Sequence, residues 1–501
     1  MERSSDSDVN LDPSDWDLFR SLGHQMMDTV VDHLQGLRNQ RVWTPMPAEV
    51  RLNFTKSSPP GSGSSLVDVL HEFDEFIKPF GSGNIHPGFM GWVQGGGTPV
   101  GMIADMLASA MNMNCGGRDH VGIALEEQIV LWARSWFQFP ETAKGVFVTG
   151  SSMANFMGLL AARSCHASRS ENADIGTEYV IYASASSHRC IDQAVNMSGA
   201  GLGKGGLRRI QTDHMHRMDV IALEQQVAAD REQGLTPLMV VATAGSVDVG
   251  AIDPLPELSA FCQRECLWMH VDGAFAALGI LSPLVRPKLS GIELANSIAF
   301  DFHKWAQVPY DAGMILVREG SFLRDAFSSP ASYLSRESAG MMAGSFWPCD
   351  YGPDLSRGCR ALKTWFTIKT YGMDGIGNVM TKGCSLATSL ADRIECNPLL
   401  ELLAPVALNI VCFRFVPLVD KGCELQGNDF INRLTRAVVV RLHEEGAVAP
   451  SLTTIHGKTA IRAAIFNHRT DIREIETLVM SVLRIGNELM QSFCDASASN
   501  A

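Results

Sequence analysis

Several chemically capable residues in this sequence stand just beyond apolar runs. Ser151 and Ser152 follow GVFVT, Ser246 and Asp248 follow VVAT, Asp272 follows WMHV, and His303 and Lys304 follow IAF. A lysine is almost never fully buried unless something pairs or reacts with it. In a dry pocket its charged form is disfavoured, so its pKa is expected to fall and the amine can attack a carbonyl. A carboxylate one residue past an apolar strand costs free energy unless it meets a cation. A small-residue turn into a helix, as in VTGSSMANF, offers free N–H groups and hydroxyls to an anion such as phosphate. Taken singly, helix capping explains the serines equally well. A salt bridge explains Asp272 better, and a surface position explains Lys304 better.

The elements around these residues draw them together. The runs GVFVT, EYVIYA, PLMVVAT, LWMHVD, SIAFD and AGMILV alternate with helix-like stretches such as MANFMGLLAAR and LPELSAFCQREC. Short continuous apolar runs with intervening helices predict an α/β fold with parallel strands covered on both faces. Functional groups in such sheets gather at the carboxyl ends of the strands. Before this region, Ser14 is placed as a helix cap with Asp17 three residues on, followed by Leu18, Leu22, Met26, Val30 and Leu34 at spacing four. Such a stripe suits packing on its own domain or on a second subunit. TKSSPPGSGSS, residues 55–65, reads as a loop. NIVCFRFVP and AIRAAIF read as strands and TDIREIETLVMSVLRIGNELM as an amphipathic helix. The expected organisation is an N-terminal helical packing segment over 1–95, a large domain over 96–385 and a smaller α+β domain over 386–501.

Composition narrows the function classes. The chain has 501 residues, 46% hydrophobic and 19% charged, which suits a globular protein with a large core. A net charge of −13 without any Lys/Arg run argues against a nucleic-acid partner. No run reaches the roughly 18 apolar residues of a membrane span, and MERSSDSDVNLDPSD has no leader-like apolar stretch. The 12 cysteines show neither paired metal-ligand spacing nor a disulfide framework. No metal is expected, and reduced thiols in the cytoplasm are. GLGKGG, residues 201–206, matches a dinucleotide pattern in the wrong strand–helix order. His214 and His216 read as a solvated turn. The run Gly95–Gly97 is expected to let backbone approach the substrate.

Taken together, a phosphate site at Ser151 and Ser152, a carboxylate at Asp272 and an amine at Lys304 describe pyridoxal 5'-phosphate. Lys304 is then expected to form a Schiff base with its aldehyde. The sequence also resembles the group II pyridoxal-phosphate decarboxylases of fold type I, which include aromatic-L-amino-acid and glutamate decarboxylases. The resemblance runs from HPGFMGWVQGGGTPVGMIADML through GVFVTGSSMANFMGLLAAR, VVATAGSVDVGAIDPL, LWMHVDGAFA and FDFHKW to DYGPDLSRGCRALKTW and AIFNHRT. HVDxA followed by HKW is its most specific part.

That resemblance implies a mostly parallel seven-stranded sheet and a homodimer with shared active sites. It implies that His188 stacks on the cofactor ring, that Ala274 presses on the other face, and that Ser246 and His303 also contact the cofactor. Tyr333, in FSSPASYLSRESAGMM, would sit on a loop that closes over the partner subunit's site and protonates the intermediate. Trp92 and Val93 would line the substrate pocket, Met113 and Cys115 would reach it from the second subunit, and Ser356 would contribute as well. Arg118 lies near enough to meet an acidic or phenolic group, although an ion pair around Asp119 or an interface contact explains it better. The sequence departs from the family at Met153, where an acidic residue is usual, at Ser151, where Gly or Ala is commoner, and at Ser246 and Val247, where threonines are common.

The expected reaction is α-decarboxylation of an L-amino acid, first an aromatic one, to the amine and carbon dioxide. The alternatives are an acidic substrate, decarboxylation with oxidative deamination to an aldehyde, and a non-catalytic homologue. A tyrosine at 333 counts against the aldehyde. Joint presence of Lys304, Asp272 and His188 counts against the last.

Overall fold

The computed structural model describes residues 10–169, 177–198, 205–328, 336–344, 346–418 and 427–498, with side chains described to residue 492. Its strands in chain order are β1 (Phe89–Met90), β2 (Lys144–Val148), β3 (Tyr179–Ser184), β4 (Leu207–Ile210), β5 (Thr236–Thr243), β6 (Trp268–Asp272), β7 (Ser297–Asp301), β8 (Gly313–Val317), β9 (Leu400–Leu402), β10 (Ile410–Phe415), β11 (Ala449–Ile455) and β12 (Lys458–Ala464).

Seven of these form one sheet in the order β2-β8-β7-β6-β5-β3-β4. The contacts β3–β4, β3–β5, β5–β6 and β6–β7 are parallel. β8 runs against both β7 and β2, so the other six strands share one direction. The fold is the mostly parallel α/β sheet that the apolar runs predict. Alternation within each run sends side chains to opposite faces. On β2, Val146 and Val148 pack on one side and Phe147 on the other. On β5, Met239 and Val241 oppose Val240 and Ala242. Both faces are covered by helices, which is why these strands are apolar throughout rather than at every second residue.

The second sheet, β1-β11-β12-β10-β9, is antiparallel except for the β1–β11 contact, where Phe89 pairs with Ala449. Leu434, Val438, Leu478 and Val482 from the helices Asn428–Glu445 and Ile472–Ala498 pack into its core. The helix Arg360–Glu395 is kinked at Gly372, whose φ of 67° takes it out of helical geometry.

The first helix runs from Trp16 to Gly36 and is capped by Asp15, not Ser14. Asp15 accepts from the N–H groups of Asp17 and Leu18. The shift by one residue costs nothing in capping chemistry, because Asp serves as well as Ser. No residue of this helix is fully buried, and Trp16, Leu18 and Phe19 are exposed.

Candidate active site

Because six strands share a direction, their carboxyl ends meet along one edge. There β2 delivers Ser151, β3 leads to His188, β5 ends on Thr243, β6 on Asp272 and β7 on Asp301. A cleft of about 370 Å³ opens at this edge. Of the sequence-predicted residues, Trp92, Val93, Ser151, Ser152, His188, Asp272, Ala274, His303 and Lys304 all line it.

Lys304 is carried on the turn after β7, where its N–H donates back to the Asp301 carbonyl at 3.3 Å. Its Nζ lies 2.9 Å from Asp301 Oδ2. Burial pushes the amine down, but Asp301, with Asp272 behind it, pushes it up. The net result is a Lys304 held above its ordinary value. This corrects the expectation of a lowered pKa, which counted desolvation and missed a carboxylate three residues back in the chain.

Asp301 is 2% exposed, and its other oxygen accepts from Ser151 N at 2.8 Å. This contact ties the start of the helix Ser151–Ala167 to β7. It needs Gly313 on β8: a Cβ there would stand 2.7 Å from Asp301 Oδ1 and 2.5 Å from Gly150 Cα. His303 Nδ1 accepts from Ala312 N at 2.9 Å, leaving Nε2 3.6 Å from Asp301 Oδ2, and burial lowers the pKa of this ring.

Asp272 is 4% exposed and accepts from Ala274 N at 3.2 Å. Burial pushes its carboxyl up, opposed by Lys304, by the Ala274 N–H and by His188. His188 itself is lowered, mainly by burial, so its ring is a neutral plate at the cleft.

The glycine run sits tightly against the rest of the chain. A Cβ at Gly95 would stand 2.4 Å from the Lys304 carbonyl oxygen, and one at Gly96 2.7 Å from Asn467 Oδ1. These glycines let backbone approach the lysine turn and Asn467. Ser246 is buried beside the cleft without lining it; its hydroxyl accepts from Ala251 N at 3.1 Å and shapes its own loop.

Met113, Arg118 and Ser356 line a different cleft, of about 410 Å³, which shares no residue with the first. There the Arg118 guanidinium lies 4.8 Å from the Trp347 ring centroid, a cation–π contact rather than an ion pair. Cys115 is buried and lines neither cleft. Tyr333 lies outside the described residues.

Sequence reasoning missed the roles of Asp301, Thr243, Cys190 and Tyr310, which also line the cleft. The Tyr310 ring packs on His303 with centroids 4.4 Å apart, and Lys363 Nζ donates to its carbonyl at 2.9 Å. Asp301 stood in the sequence three residues before Lys304, a spacing that could have flagged it as a partner.

The residues fit pyridoxal phosphate. Ser151 Oγ and Thr243 Oγ1 are buried in the cleft wall with no hydrogen-bond partner among the described residues. Gly150, at the N-cap of this helix, brings no side chain, and Asp301 takes the Ser151 N–H, so an anion would meet the rest of the helix start together with the Ser151 and Ser152 hydroxyls. An amine, an under-satisfied carboxylate, a neutral ring at His188 and a small residue at Ala274 complete the set.

Comparisons with known proteins agree. Residues 50–416 match the model of the pyridoxal-dependent decarboxylase conserved domain. The aromatic-L-amino-acid decarboxylase of Bacillus atrophaeus is 32% identical over 479 residues, spanning 95% of this chain and 96% of that protein. The enzyme of the same name from Sus scrofa is 26% identical over 94% of this chain and 97% of its own length. The crystal structure of Oryza sativa TDC with PLP and tryptamine superposes with a TM-score of 0.88 at 22% identity, covering 96% of this chain and 100% of that one. This chain belongs to the pyridoxal-dependent decarboxylase family and is a pyridoxal-phosphate-dependent amino acid decarboxylase.

Proposed function

We propose that this enzyme removes the α-carboxylate of an aromatic L-amino acid, releasing the amine and carbon dioxide, with Lys304 as the residue that carries the cofactor. The observation behind this reading is the position of Lys304 Nζ, 2.9 Å from Asp301, in a cleft whose walls also present Asp272, His188, Ala274 and the Ser151 helix start. Pyridoxal phosphate supplies, when bound, a ring that accepts the electrons left at Cα as carbon dioxide departs.

The chain's residues do the rest. Ser151, Ser152 and the first turn of their helix hold the phosphate, with His303 Nε2 beside them. Asp272 keeps a proton on the ring nitrogen by offering it a buried anion. His188 and Ala274 confine the ring between a flat plate and a small side chain, and orientation of the substrate's carboxylate follows from that confinement. Lys304 exchanges with the substrate amine, and Asp301 takes up its ammonium whenever it is released. Tyr333 returns a proton to Cα.

The aromatic preference rests on Trp92, 59% exposed at the cleft with its ring 6.1 Å from Phe89, and on the names of the relatives. A homodimer accounts for two features at once. The exposed apolar side chains of the first helix would gain a partner. The cleft of Met113, Arg118 and Ser356 would meet the Lys304 cleft of a second copy, a geometry one chain does not supply by itself.

Carbon dioxide, amine and aldehyde measured separately over a panel of aromatic and acidic amino acids test this reading. It expects equal carbon dioxide and amine from an aromatic substrate, with Tyr333→Phe diverting product toward aldehyde. Exclusive use of an acidic substrate would overturn the substrate assignment, and an unchanged amine yield in Tyr333→Phe would remove that tyrosine from its role.

A further inference from the structure

Behind Asp272, away from the cleft, a file of buried polar side chains crosses the sheet. Trp268 Nε1 lies 2.8 Å from Ser297 Oγ, which lies 2.7 Å from His270 Nδ1. His270 Nε2 lies 2.8 Å from Asn155 Oδ1, and Asn155 Nδ2 is 3.2 Å from Cys190 Sγ. The Cys190 thiol in turn faces Asp272 Oδ2 at 3.9 Å. Ser297 and His270 are fully buried, and Asn155 is 1% exposed. The slot for the imidazole is built into the helix that starts at Ser151. A Cβ at Gly158 would stand 2.7 Å from His270 Cε1 and from Nδ1. Nothing in the proposed reaction touches the far end of this file.

Its hydrogen-bond direction can be worked out. An indole N–H only donates, so Ser297 Oγ accepts from Trp268. The remaining hydroxyl hydrogen has His270 Nδ1 as its acceptor among the described residues. Burial pushes His270 down to about 3, so the ring is neutral and carries one proton. With Nδ1 accepting, that proton sits on Nε2 and is donated to Asn155 Oδ1. The Asn155 amide must then point its two N–H groups the other way, toward Cys190 Sγ at 3.2 Å, whose thiol in turn faces Asp272, and so toward the side of the fold where that carboxylate lies. The reverse direction would leave the Ser297 hydrogen without an acceptor and turn an amide oxygen toward a buried carboxylate.

We propose that Asn155 is a positioning residue, oriented by His270, Ser297 and Trp268 in series, that presents hydrogen-bond donors to Asp272 and holds it as an anion. This deepens the reading above and rests on Asp272 serving the cofactor's ring nitrogen. The physical need is plain, since a carboxylate at this depth tends to take up a proton, and a protonated Asp272 loses its hold on a cationic ring. Asn155 is among the groups that oppose that tendency. A lone asparagine could flip and fail. One locked by three further side chains cannot flip without switching the His270 proton to Nδ1 and stranding the Ser297 hydroxyl hydrogen.

The test is the affinity of the cofactor-depleted full-length protein for pyridoxal phosphate, read by fluorescence titration from about pH 5.5 to 8.5, for wild type, Asn155→Leu, Ser297→Ala, Trp268→Phe and Asp272→Asn. Titratable groups facing Asp272 are Lys304 after β7, with Asp301 on its far side, His188 after β3 and Cys190 on the next helix. All are retained in the relay variants, so their effects, and those of the cofactor's own ionisations, cancel in the comparison. Asn155→Leu is expected to weaken binding about tenfold at neutral pH and to move the acid-side loss of affinity up by about one pH unit, the size of a lost hydrogen bond to a charged group. Ser297→Ala and Trp268→Phe should move it in the same direction by less.

A merely structural role would weaken binding evenly at every pH. An unmoved acid limb in Asn155→Leu, with Asp272→Asn abolishing that limb, overturns the relay and leaves the reading of Asp272 intact. An acid limb unchanged in Asp272→Asn itself overturns that reading and the relay with it. Should Asn155→Leu fail to fold, the limb in Ser297→Ala decides by the same criterion.

Discussion

Asp272 and Asp301 close neighbouring parallel strands, are 4% and 2% exposed, and flank the same lysine, yet the chain treats them differently. Asp301 is fully engaged. One oxygen accepts from Ser151 N at 2.8 Å and the other faces Lys304 Nζ at 2.9 Å. Asp272 has one backbone donor, from Ala274 at 3.2 Å, a thiol at 3.9 Å and the Asn155 amide beyond that thiol, and burial still leaves its carboxyl above the ordinary range. A buried carboxylate with too few partners is costly. On the proposed function, the two sites separate a structural anion, which holds the lysine turn to the start of the helix Ser151–Ala167, from a carboxylate kept for a cationic ligand.

Exchanging charge for an amide at each position sharpens the contrast. Asp272→Asn is expected to have the larger effect, a fall in turnover of roughly a hundredfold or more, in line with the loss of one partner of a buried charge pair. It should come with weakened cofactor retention on dialysis, and wild-type retention would break the distinction between the two aspartates. Asp301→Asn should cost less, about tenfold, because the side-chain oxygen still accepts from Ser151 N. Its diagnostic is pH dependence. Asp301 raises the pKa of Lys304, so removing the charge lowers it and the unprotonated amine becomes available at lower pH. The half-point of the rise in cofactor loading rate with pH should move downward in this variant. An upward shift would contradict the assigned pair.

Much of the site was legible because it is carried by short segments, each at the end of an apolar run. HVDGA, FHKW and GSSMAN could each be placed at a strand's carboxyl end, and that edge is where a parallel sheet collects them. His188 in SSHR came from the family resemblance alone. What the sequence hid was pairing across distance. Asp301 and Ser151 lie 150 residues apart, so nothing local showed that the carboxylate would be anchored there. The Lys304 shift was misjudged for a different reason, a carboxylate three residues away that was in plain view. β4 was not read as a strand because LRRI is half arginine. Arg208 pairs with Asp230 at 2.9 Å and Arg209 with Asp192, which makes the edge strand tolerable. β11, APSLTTI, was passed over because Ser451, Thr453 and Thr454 interrupt its apolar residues. Met113, Arg118 and Ser356 gather at a cleft of their own rather than at the Lys304 of the same chain, which a reading of one sequence could not anticipate.

The central claim is that one amine, Lys304, carries the cofactor. Reduction of the holoenzyme with borohydride, proteolysis and mass spectrometry test it directly, because reduction makes the lysine–cofactor bond permanent. The account predicts a phosphopyridoxyl group on the peptide containing FDFHKWAQVPY, at Lys304, and its disappearance together with the visible cofactor absorbance and turnover in Lys304→Ala. The label on any other lysine, or full activity in that variant, would contradict it.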